Sequence, residues 1–394
     1  MRYFIPFLLL LFAIAAFLRV DFFFTVVYLL FGVYLLSRVW MQRTTACLSV
    51  QRRFTDRAFP GDQVNVEVTL RNGTWLPTVW LEVHESLPVQ LSAPPFHHKV
   101  ISLGARERQR LAYTLNCRQR GYYTIGPLTV QAGDLLGIVQ RDRVYAEPQS
   151  IIVYPRVVPL QRLGLPTRSP QAVLRAPSPL FEDPARIMGV RDYRRGDSPR
   201  RIHWTATARS GQLLVKRYQP AIARETLICL DLNETDYSDR QRYTATELAI
   251  VVAASIANHI VIQERLPVGL ATEALDPLTD QCTRFYLPPR PERAHLMGLL
   301  EVLARVQIAP VTPFSELLRR ESVNLPWGAT LTAITGRESA GLLEALIYLR
   351  RSGFAVTLIL VQPGRPSPEL QGRTELLGVP VHRVWNERDL EGWV

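Results

Sequence analysis

Residues 187–215 have the sequence IMGVRDYRRGDSPRRIHWTATARSGQLLV, and this stretch is the most distinctive part of the chain. Residues 186–217 hold nine basic and two acidic side chains, which is +7 of a total net charge of +11. Tyr193, His203 and Trp204 alternate with arginines, and RGDSP at residues 195–199 is typical of a turn. Because arginine binds carboxylates and phosphates and stacks on aromatic rings, two hypotheses follow: an anion- or partner-binding surface, or a solvated strand–turn–helix connector.

Length and composition predict a chain of two or three domains, because 394 residues exceed one typical domain and 47% of them are hydrophobic. The cysteines at positions 47, 117, 229 and 282 are far apart and form no CxxC pair. This spacing supports neither a zinc site nor a redox motif, and it predicts buried free thiols in a reducing compartment.

Residues 1–40 are predicted to form two transmembrane helices. Residues 3–18 and 22–37 are apolar, and Arg19 and Asp21 lie in the short turn between them. A signal peptide is the alternative, but no small-residue cleavage site precedes Arg19. Arginines at positions 38, 43, 52, 53 and 57 follow the second helix. By the positive-inside rule, the sequence predicts an inner (cytoplasmic) membrane protein whose soluble domains lie in the cytoplasm.

Residues 48–160 are predicted to form an all-β sandwich, because apolar residues alternate with polar ones at period two. The predicted strands cover residues 64–70, 79–83, 110–115, 122–125, 128–131 and 151–154. The histidine pair at residues 97–98 is expected on a loop, and no spacing supplies further metal ligands for it.

A Pro-rich linker at residues 161–185 is predicted to lead into an α/β domain at residues 186–394. Strands at residues 225–232, 266–272, 330–335, 355–361 and 381–384 alternate with helices at residues 244–262, 293–306, 339–351 and 369–377. This alternation is typical of a mostly parallel sheet, in which ligands bind at the carboxyl ends of the strands.

Asp231, Asn233 and Thr235 follow the first of these strands in a D-x-N-x-T arrangement. Three oxygen-bearing side chains at this spacing can face one hard cation, or Asp231 can simply cap the following segment. The chain has no Walker A loop, HExxH, GxGxxG after a strand, or GxSxG elbow. A standard ATPase, dehydrogenase or hydrolase is therefore not expected.

The basic stretch resembles the defining motif of the bacterial domain-of-unknown-function family fifty-eight. The matching residues are Gly189, Arg191, Tyr193, Gly196, Asp197, Arg200, Arg201, Ile202, Trp204, Ala208, Arg209, Leu214 and Val215. Residues 120–128 and 134–137 and the two N-terminal helices are also similar to this family.

The resemblance implies a von Willebrand A-like (Rossmann-type) C-terminal domain and a partnership with AAA+ ATPases of the MoxR type. In such domains a D-x-S-x-S motif binds a divalent cation that takes a partner's carboxylate. Asp231, Asn233 and Thr235 occupy those positions here, with Asn in place of the first Ser. A later strand of such domains ends in an Asp that is missing from residues 334–336 (ITG). The resemblance thus implies a degenerate Mg²⁺ site.

Three functional hypotheses follow. The first is a non-enzymatic, membrane-anchored adaptor that docks envelope proteins and works with a MoxR-type ATPase in envelope or complex assembly. The second is an enzyme that acts on a phosphate-bearing or acidic substrate, with His203 as the candidate base. The third is binding of anionic lipid or nucleic acid by the basic stretch, although no nucleic-acid-binding fold accompanies it. The candidate binding residues are Arg191, Tyr193, Gly196, Asp197, Arg200, Arg201, Trp204 and Arg209.

Each of these residues also has a structural interpretation. Tyr193 and Trp204 are expected to pack against the fold, and Gly196 to supply a turn conformation. Asp197 and Arg200 are expected to form an internal ion pair that holds the motif in place.

Overall fold

The computed structural model describes residues 4–18, 21–91, 98–134, 140–160, 182–194, 199, 202–220, 225–362 and 378–391. The chain divides into two compact units. One comprises residues 1–156 and 300–305, and the other comprises residues 157–299 and 306–394. The helix–β–α/β order expected from the sequence is thus confirmed at this level, and each unit is described separately.

The first unit begins with two helices, α1 (Phe4–Leu18) and α2 (Asp21–Ala46). Helix α2 has 26 residues, reaches a mean hydropathy of 1.9 and is largely exposed, so its length and composition suffice to cross a membrane. Helix α1 is apolar but shorter, with 15 residues. The helix α2 observed here is longer than the apolar run at residues 22–37, because its last two turns mix polar and apolar residues and bury Met41, Thr44 and Thr45.

Ten strands of the first unit lie within its described residues, and they form three small sheets with the orders β1-β3-β6, β2-β10-β7 and β5-β4-β8-β9. The strands are β1 (Leu48–Arg53), β2 (Arg57–Ala58), β3 (Gln63–Asn72), β4 (Thr78–Glu85), β5 (His98–Leu103), β6 (Arg108–Asn116), β7 (Gly121–Ile125), β8 (Leu128–Gly133), β9 (Gln140–Ala146) and β10 (Gln149–Val153). All pairs are antiparallel except β2 with β10.

The inward side chains of these sheets form one hydrophobic core, as the period-two pattern predicts. Strand β3 alternates between exposed and buried positions, and Val66, Val68 and Leu70 are fully buried. Every strand predicted in this domain is present, whereas β1, β2, β5 and β9 were not predicted. His98 begins strand β5 and contacts Glu82, so its expected place on a loop is wrong. His97 lies outside the described residues.

The second unit starts with an antiparallel two-stranded ribbon and a short helix, and an α/β array follows. The elements from here to the end of the described chain are β11 (Glu182–Asp192), α3 (Trp204–Ser210), β12 (Leu214–Pro220), β13 (Thr226–Leu230), α4 (Arg242–Asn258), β14 (Val268–Asp276), β15 (Gln281–Arg290), α5 (Arg293–Arg305), α6 (Phe314–Ser322), β16 (Thr330–Thr335), α7 (Ala340–Arg351), β17 (Ala355–Val361), β18 (Val381–Val384) and α8 (Arg388–Glu391). The last six residues of α5, 300–305, group with the first unit. Most of the predicted linker, and the helix predicted at residues 369–377, lie outside the described residues.

The six-stranded sheet has the order β15-β14-β13-β16-β17-β18, in which only the edge strand β15 is antiparallel to its neighbour. Counted from β13, this is the order 3-2-1-4-5-6 of doubly wound sheets. Helix α4 continues as a π-helical turn at His259–Glu264; the stretch Arg242–Glu264 is long and apolar enough to span a membrane, but 83% of its most apolar part is buried. It is therefore the core helix of this unit.

The four cysteines are free, as expected, but only two of them are buried. Cys117 and Cys229 lie in the two cores, whereas Cys47 and Cys282 are exposed. The expectation that all four are buried is wrong, because Cys47 follows the end of α2 and Cys282 lies on the edge strand β15.

Candidate functional site

Asp231 lies immediately after β13, at the point where the order of the sheet reverses. Strand β14 pairs with one edge of β13 and β16 with the other, and both pairs are parallel. The Asp231 N–H donates to the carbonyl oxygen of Ile334 (2.9 Å), which extends the pairing with β16 by one residue. Ligands of open α/β sheets bind outside the carboxyl ends of the strands at such a switch point. The fold therefore places Asp231 at the position where this architecture builds sites.

The Asp231 carboxyl group is buried, with 2% of the residue exposed, and both of its oxygens accept hydrogen bonds. The backbone N–H of Asn233 donates to Oδ1 (2.9 Å), and the Thr335 hydroxyl donates to Oδ2 (2.6 Å). The hydroxyl of the buried Tyr237 donates to the Asp231 carbonyl oxygen (2.7 Å). Two donors thus hold the carboxyl group, and Tyr237 holds the backbone of the same residue.

Burial, and after it the nearby charge of Asp236, raise the pKa of Asp231 from its ordinary value of 3.8 to about 8. The hydrogen bonds from Thr335 and Asn233 favour the ionised form and oppose this shift, but they are the smaller causes. Asp236 is half-buried and close enough to Asp231 for a hydrogen bond between the two carboxyl groups. Asp231 therefore holds a proton at neutral pH, and the two residues form an acid pair.

Asn233 and Thr235 bond to each other rather than pointing at a shared centre. The Thr235 backbone N–H (3.2 Å) and hydroxyl (3.1 Å) both donate to Oδ1 of Asn233. The Asn233 amide N–H₂ donates to the carbonyl oxygen of Val311 (3.0 Å). Asn233 is buried and caps the 3-10 turn Glu234–Asp236, whereas Thr235 is exposed. The residue that caps the segment after β13 is thus Asn233, and not Asp231 as the capping hypothesis proposed. Asp231 is instead a buried acid.

These residues fit a Mg²⁺ ion poorly. Mg²⁺ requires near-octahedral oxygen ligation, but the side-chain oxygens of Asp231 and Asn233 accept hydrogen bonds from the protein, and the Thr235 hydroxyl donates to Asn233. Within the part of the chain that the structure describes, no group of three His, Cys, Asp or Glu side chains could hold a metal ion. Thr335 donates a hydrogen bond at the strand end where the family pattern has an Asp. The arrangement suits a shared proton better than a divalent cation.

The basic motif lies on the β11–β12 ribbon and helix α3. Arg191 is exposed on β11 opposite Val215, and the Tyr193 N–H donates to the carbonyl oxygen of Leu213 (2.9 Å). Trp204 is the first residue of α3 and is 68% exposed, so the expectation that it packs against the fold is wrong. Arg209 is exposed in the last turn of α3. The remaining predicted members, Gly196, Asp197, Arg200 and Arg201, lie outside the described residues.

His203, the candidate base of the enzyme hypothesis, caps helix α3. Its ring Nδ1 accepts a hydrogen bond from the backbone N–H of Ala206 (3.2 Å), and the backbone N–H of His203 donates to the carbonyl oxygen of Leu214 (2.8 Å). The helix ends at Gly211, whose φ of 71° is the left-handed conformation that favours glycine. Capping accounts for the position of His203 without a catalytic role.

Two members of the Asp231 site were not found by sequence reasoning. Asp236 follows Asp231 by five residues, and only the 3-10 turn that Asn233 caps brings the two carboxyl groups together. Tyr237 is buried and has an ordinary spacing, so no local pattern marks it. A signal for Thr335 existed, since it ends a fully buried strand parallel to β13.

Comparisons with known proteins identify similar sequences but no activity. Residues 189–321 match the family model described as "Protein of unknown function DUF58". The chain is 24% identical over 314 residues to the "Uncharacterized protein YeaD" of Bacillus subtilis (strain 168), which covers 77% of this chain and 72% of that protein.

Similar solved structures match only part of the chain. The CARDB domain of the PF1109 protein from Pyrococcus furiosus is 18% identical and covers 27% of this chain and 91% of that chain, at a TM-score of 0.21. The human complex of zinc 2-glycoprotein and prolactin inducible protein includes a chain that is 9% identical and covers 27% of this chain and 93% of that chain, at a TM-score of 0.22. TM-scores this low support no argument about fold or function.

Proposed function

This chain is a DUF58 family protein by its residues 189–321, and from that premise we propose that it is a membrane-anchored, non-enzymatic adaptor. In this proposal helices α1 and α2 anchor it in the inner (cytoplasmic) membrane, and its soluble domains face the cytoplasm. Its α/β domain docks envelope proteins, and a MoxR-type AAA+ ATPase works with it in envelope or complex assembly. The ATPase partner enters the proposal through the family resemblance.

Helix α2 supports the membrane anchor. Its exposed side chains are large and apolar, among them Phe22, Leu29 and Leu36, each more than 60% exposed. Exposure of such a continuous apolar surface in water is costly, whereas a bilayer solvates it. Arg38 and Arg43 lie near the end of the helix, which supports a cytoplasmic C-terminal side.

The strand order and the D-x-N-x-T segment after β13 support a von Willebrand A-like docking domain. The observation that carries the docking proposal is the Asp231–Asp236 acid pair at the switch point of the sheet. Ionisation of Asp231 would be costly, because no cation pairs with it among the described residues, and perturbed groups of this kind cluster at functional sites. A partner that supplies a cationic or hydrogen-bonding group would relieve that cost.

An enzyme is the weaker hypothesis, because no nucleophile–base pair accompanies the acid pair among the described residues. Asp231 is buried, His203 is a helix cap, and the partners of Asp231 are two hydroxyl groups and backbone. Reaction classes that need a general base next to a nucleophile have no candidates here. We therefore propose binding rather than a reaction of this class for the acid pair.

Affinity purification of the full-length chain from solubilised membranes, with and without Mg²⁺, tests this function. Asp231→Asn keeps the size of the side chain, and Asp239→Asn is the control, because the side chain of Asp239 is 90% exposed. We expect an ATPase or envelope protein that Asp239→Asn retains and Asp231→Asn loses.

The Mg²⁺ arm tests the degenerate metal site separately. Asp231 would have to lose its proton before it could ligate Mg²⁺, so a docking site that uses the acid pair retains its partner without the ion. Loss of the partner on Mg²⁺ removal would instead support the metal site. Partners identical in all variants would contradict docking at Asp231 and direct attention to Arg191 and Trp204.

A further inference from the structure

The junction between helix α2 and the β-sandwich contains no linker. Met41 belongs to the hydrophobic core of the sandwich, and the Tyr145 hydroxyl donates to the carbonyl oxygen of Thr45 (2.9 Å). The helix ends at Ala46, and strand β1 begins at Leu48. The helix therefore runs from its exposed apolar stretch directly into the folded domain, which fixes which end of the sandwich is nearest to that stretch.

The β3–β4 turn, residues 73–77, lies alongside the last turns of α2. The Trp40 indole N–H donates to the carbonyl oxygen of Pro77 (3.0 Å), and the Gly73 N–H donates to the carbonyl oxygen of Cys47 (3.0 Å). Trp75 lies between these two attachment points and is 74% exposed. Tryptophan is enriched at membrane–water interfaces, because its ring is apolar while its N–H prefers a polar partner. Trp75 thus has the character of an interfacial side chain.

Three exposed arginines surround this turn. Arg71 and Arg108 are directly opposite each other on β3 and β6. The backbone N–H of Arg106 donates to the carbonyl oxygen of Thr74 (2.8 Å), which places Arg106 beside the turn. Like charges directly opposite on neighbouring strands destabilise a sheet. Among the residues that the structure describes, no carboxylate forms an ion pair with any of the three. This concentration of charge favours an anionic ligand outside the protein.

We propose that Trp75, Arg71, Arg106 and Arg108, the α2-proximal surface, lie against anionic lipid headgroups. The proposal rests on the membrane anchoring in the proposed function. Val39 is the last exposed large apolar side chain of α2, and the helix rises about 10 Å from there to its end. That rise is similar to the depth of the headgroup region, so a bilayer that covers the apolar stretch brings its headgroups to this surface.

The sandwich also distinguishes these arginines from others near α2. Arg52 was predicted among the cytoplasmic arginines, but its side chain is fully buried and pairs with Glu85, so it is unavailable to lipid. Arg118 is exposed two residues beyond the other end of β6 and serves as a remote control. Since β6 spans nine residues, these two ends are about 30 Å apart.

The test uses the full-length chain reconstituted in vesicles of equal parts phosphatidylcholine and phosphatidylglycerol, with one of the two lipids brominated. The emission difference between wild type and Trp75→Phe isolates the signal of Trp75. We expect brominated lipid to reduce that signal by about twofold, and brominated phosphatidylglycerol to be the stronger quencher.

The Gln triple variant of Arg71, Arg106 and Arg108 should lose the preference for phosphatidylglycerol. The matching Lys triple variant should keep it, since its charge is unchanged, and so should Arg118→Gln. Trp75 emission that is unaffected by brominated lipid, in a chain that floats with the vesicles, would overturn the α2-proximal surface and leave the anchor standing. A chain that does not float with vesicles would overturn the anchor, and this surface with it.

Discussion

Glu85 in the β-sandwich and Asp231 in the α/β unit are both buried carboxyl groups, with 1% and 2% of the residue exposed, but their surroundings differ. Glu85 accepts hydrogen bonds from the Arg52 guanidinium (2.6 Å) and the Tyr113 hydroxyl (2.6 Å). Arg52 also bonds to the Glu147 carbonyl oxygen (2.7 Å), so both charges are satisfied. Asp231 receives only neutral donors and faces a second acid, Asp236.

The difference separates a carboxylate that stabilises the fold through an ion pair from the carboxyl group of the candidate site. The Arg52 cation balances the charge of Glu85, whereas the Asp231 charge is balanced by a proton. Burial and the charge of Glu85 raise the pKa of Tyr113, so that its hydroxyl remains a donor to Glu85. Burial alone therefore does not distinguish a structural carboxyl group from a candidate site. The charge of the neighbouring side chains makes that distinction.

The largest effect is expected when the sandwich ion pair is broken. Arg52→Met leaves the Glu85 charge buried without its cation, which should cost about 3–5 kcal/mol in free energy of unfolding. Urea unfolding of the detergent-solubilised chain measures it. Arg53→Met is the matched control, because Arg53 is exposed on the same strand. A cost below about 1 kcal/mol for Arg52→Met would mean that Glu85 is not held by this pair.

The acid pair should make stability depend on pH in the direction opposite to an ordinary paired carboxylate. The pKa of Asp231 in the folded chain is about 8, above its ordinary value of 3.8. The protonated Asp231 contributes fully to the free energy of unfolding when the pH is below its pKa in the unfolded chain. This contribution is lost as the pH rises through its pKa in the folded chain, by at most about 1.4 kcal/mol per pH unit. Thermal unfolding between these values should show the decline, and Asp231→Asn should remove it.

The variant Asp236→Asn tests the same pH dependence of thermal unfolding. It removes the second charge that raises the pKa of Asp231, so the decline should end at a lower pH than in the wild-type chain. Asp239→Asn, at an exposed carboxyl group, should leave the profile unchanged. A wild-type profile without any decline would show that Asp231 is ionised in the folded chain.

Two buried threonines on β16 test how tightly Asp231 is held. Thr335→Val removes the hydroxyl that donates to Asp231 and should cost about 1–3 kcal/mol. It should also raise the pKa of Asp231 further, since that bond favours the ionised form. The Thr332 hydroxyl has no hydrogen-bond partner among the described residues, so Thr332→Val should be neutral or stabilising. Equal unfolding free energies for the two variants would remove Thr335 from the site.

The smallest effect on stability is expected in the basic motif. Trp204→Ala should change the free energy of unfolding by less than about 0.5 kcal/mol, because the side chain is exposed. Trp327→Ala should cost more, about 1 kcal/mol, because the Trp327 ring packs closely over Gly353. Circular dichroism melting curves of the two variants provide the comparison. A large loss for Trp204→Ala would indicate that its ring supports the fold rather than a partner surface.

Hydrophobic periodicity predicted much of the fold. Strands β16, β17 and β18 have the bounds expected from the sequence, because each is a short stretch between turn residues, and β16 and β17 are rich in apolar residues. The edge strand β15 was missed: its sequence, QCTRFYLPPR, contains two prolines and several polar residues, which only an edge position tolerates. Helix α6 was missed because its apolar face spans only two turns.

The site was less predictable than the fold, because its geometry depends on contacts across the chain. The position of Asp231 at a strand end follows from the sequence. Its hydrogen bond from Thr335 joins residues 104 positions apart, and its pairing with Asp236 depends on a 3-10 turn. The predicted role of Asn233 as a ligand depended on spacing and on the family resemblance, and neither distinguishes a ligand from a cap.

The direct passage of α2 into the sandwich also has a mechanical consequence. Because Met41 lies in the core and the carbonyl oxygen of Thr45 accepts a hydrogen bond from Tyr145, α2 cannot rotate freely relative to the sandwich. A rotation of α2 about its own axis therefore rotates the sandwich with it. A tilt of α2 likewise displaces the sandwich. In the proposed anchored state, a torque that a partner exerts on the sandwich would therefore be transmitted to α2, and the junction would act as a rigid coupling rather than as a flexible tether.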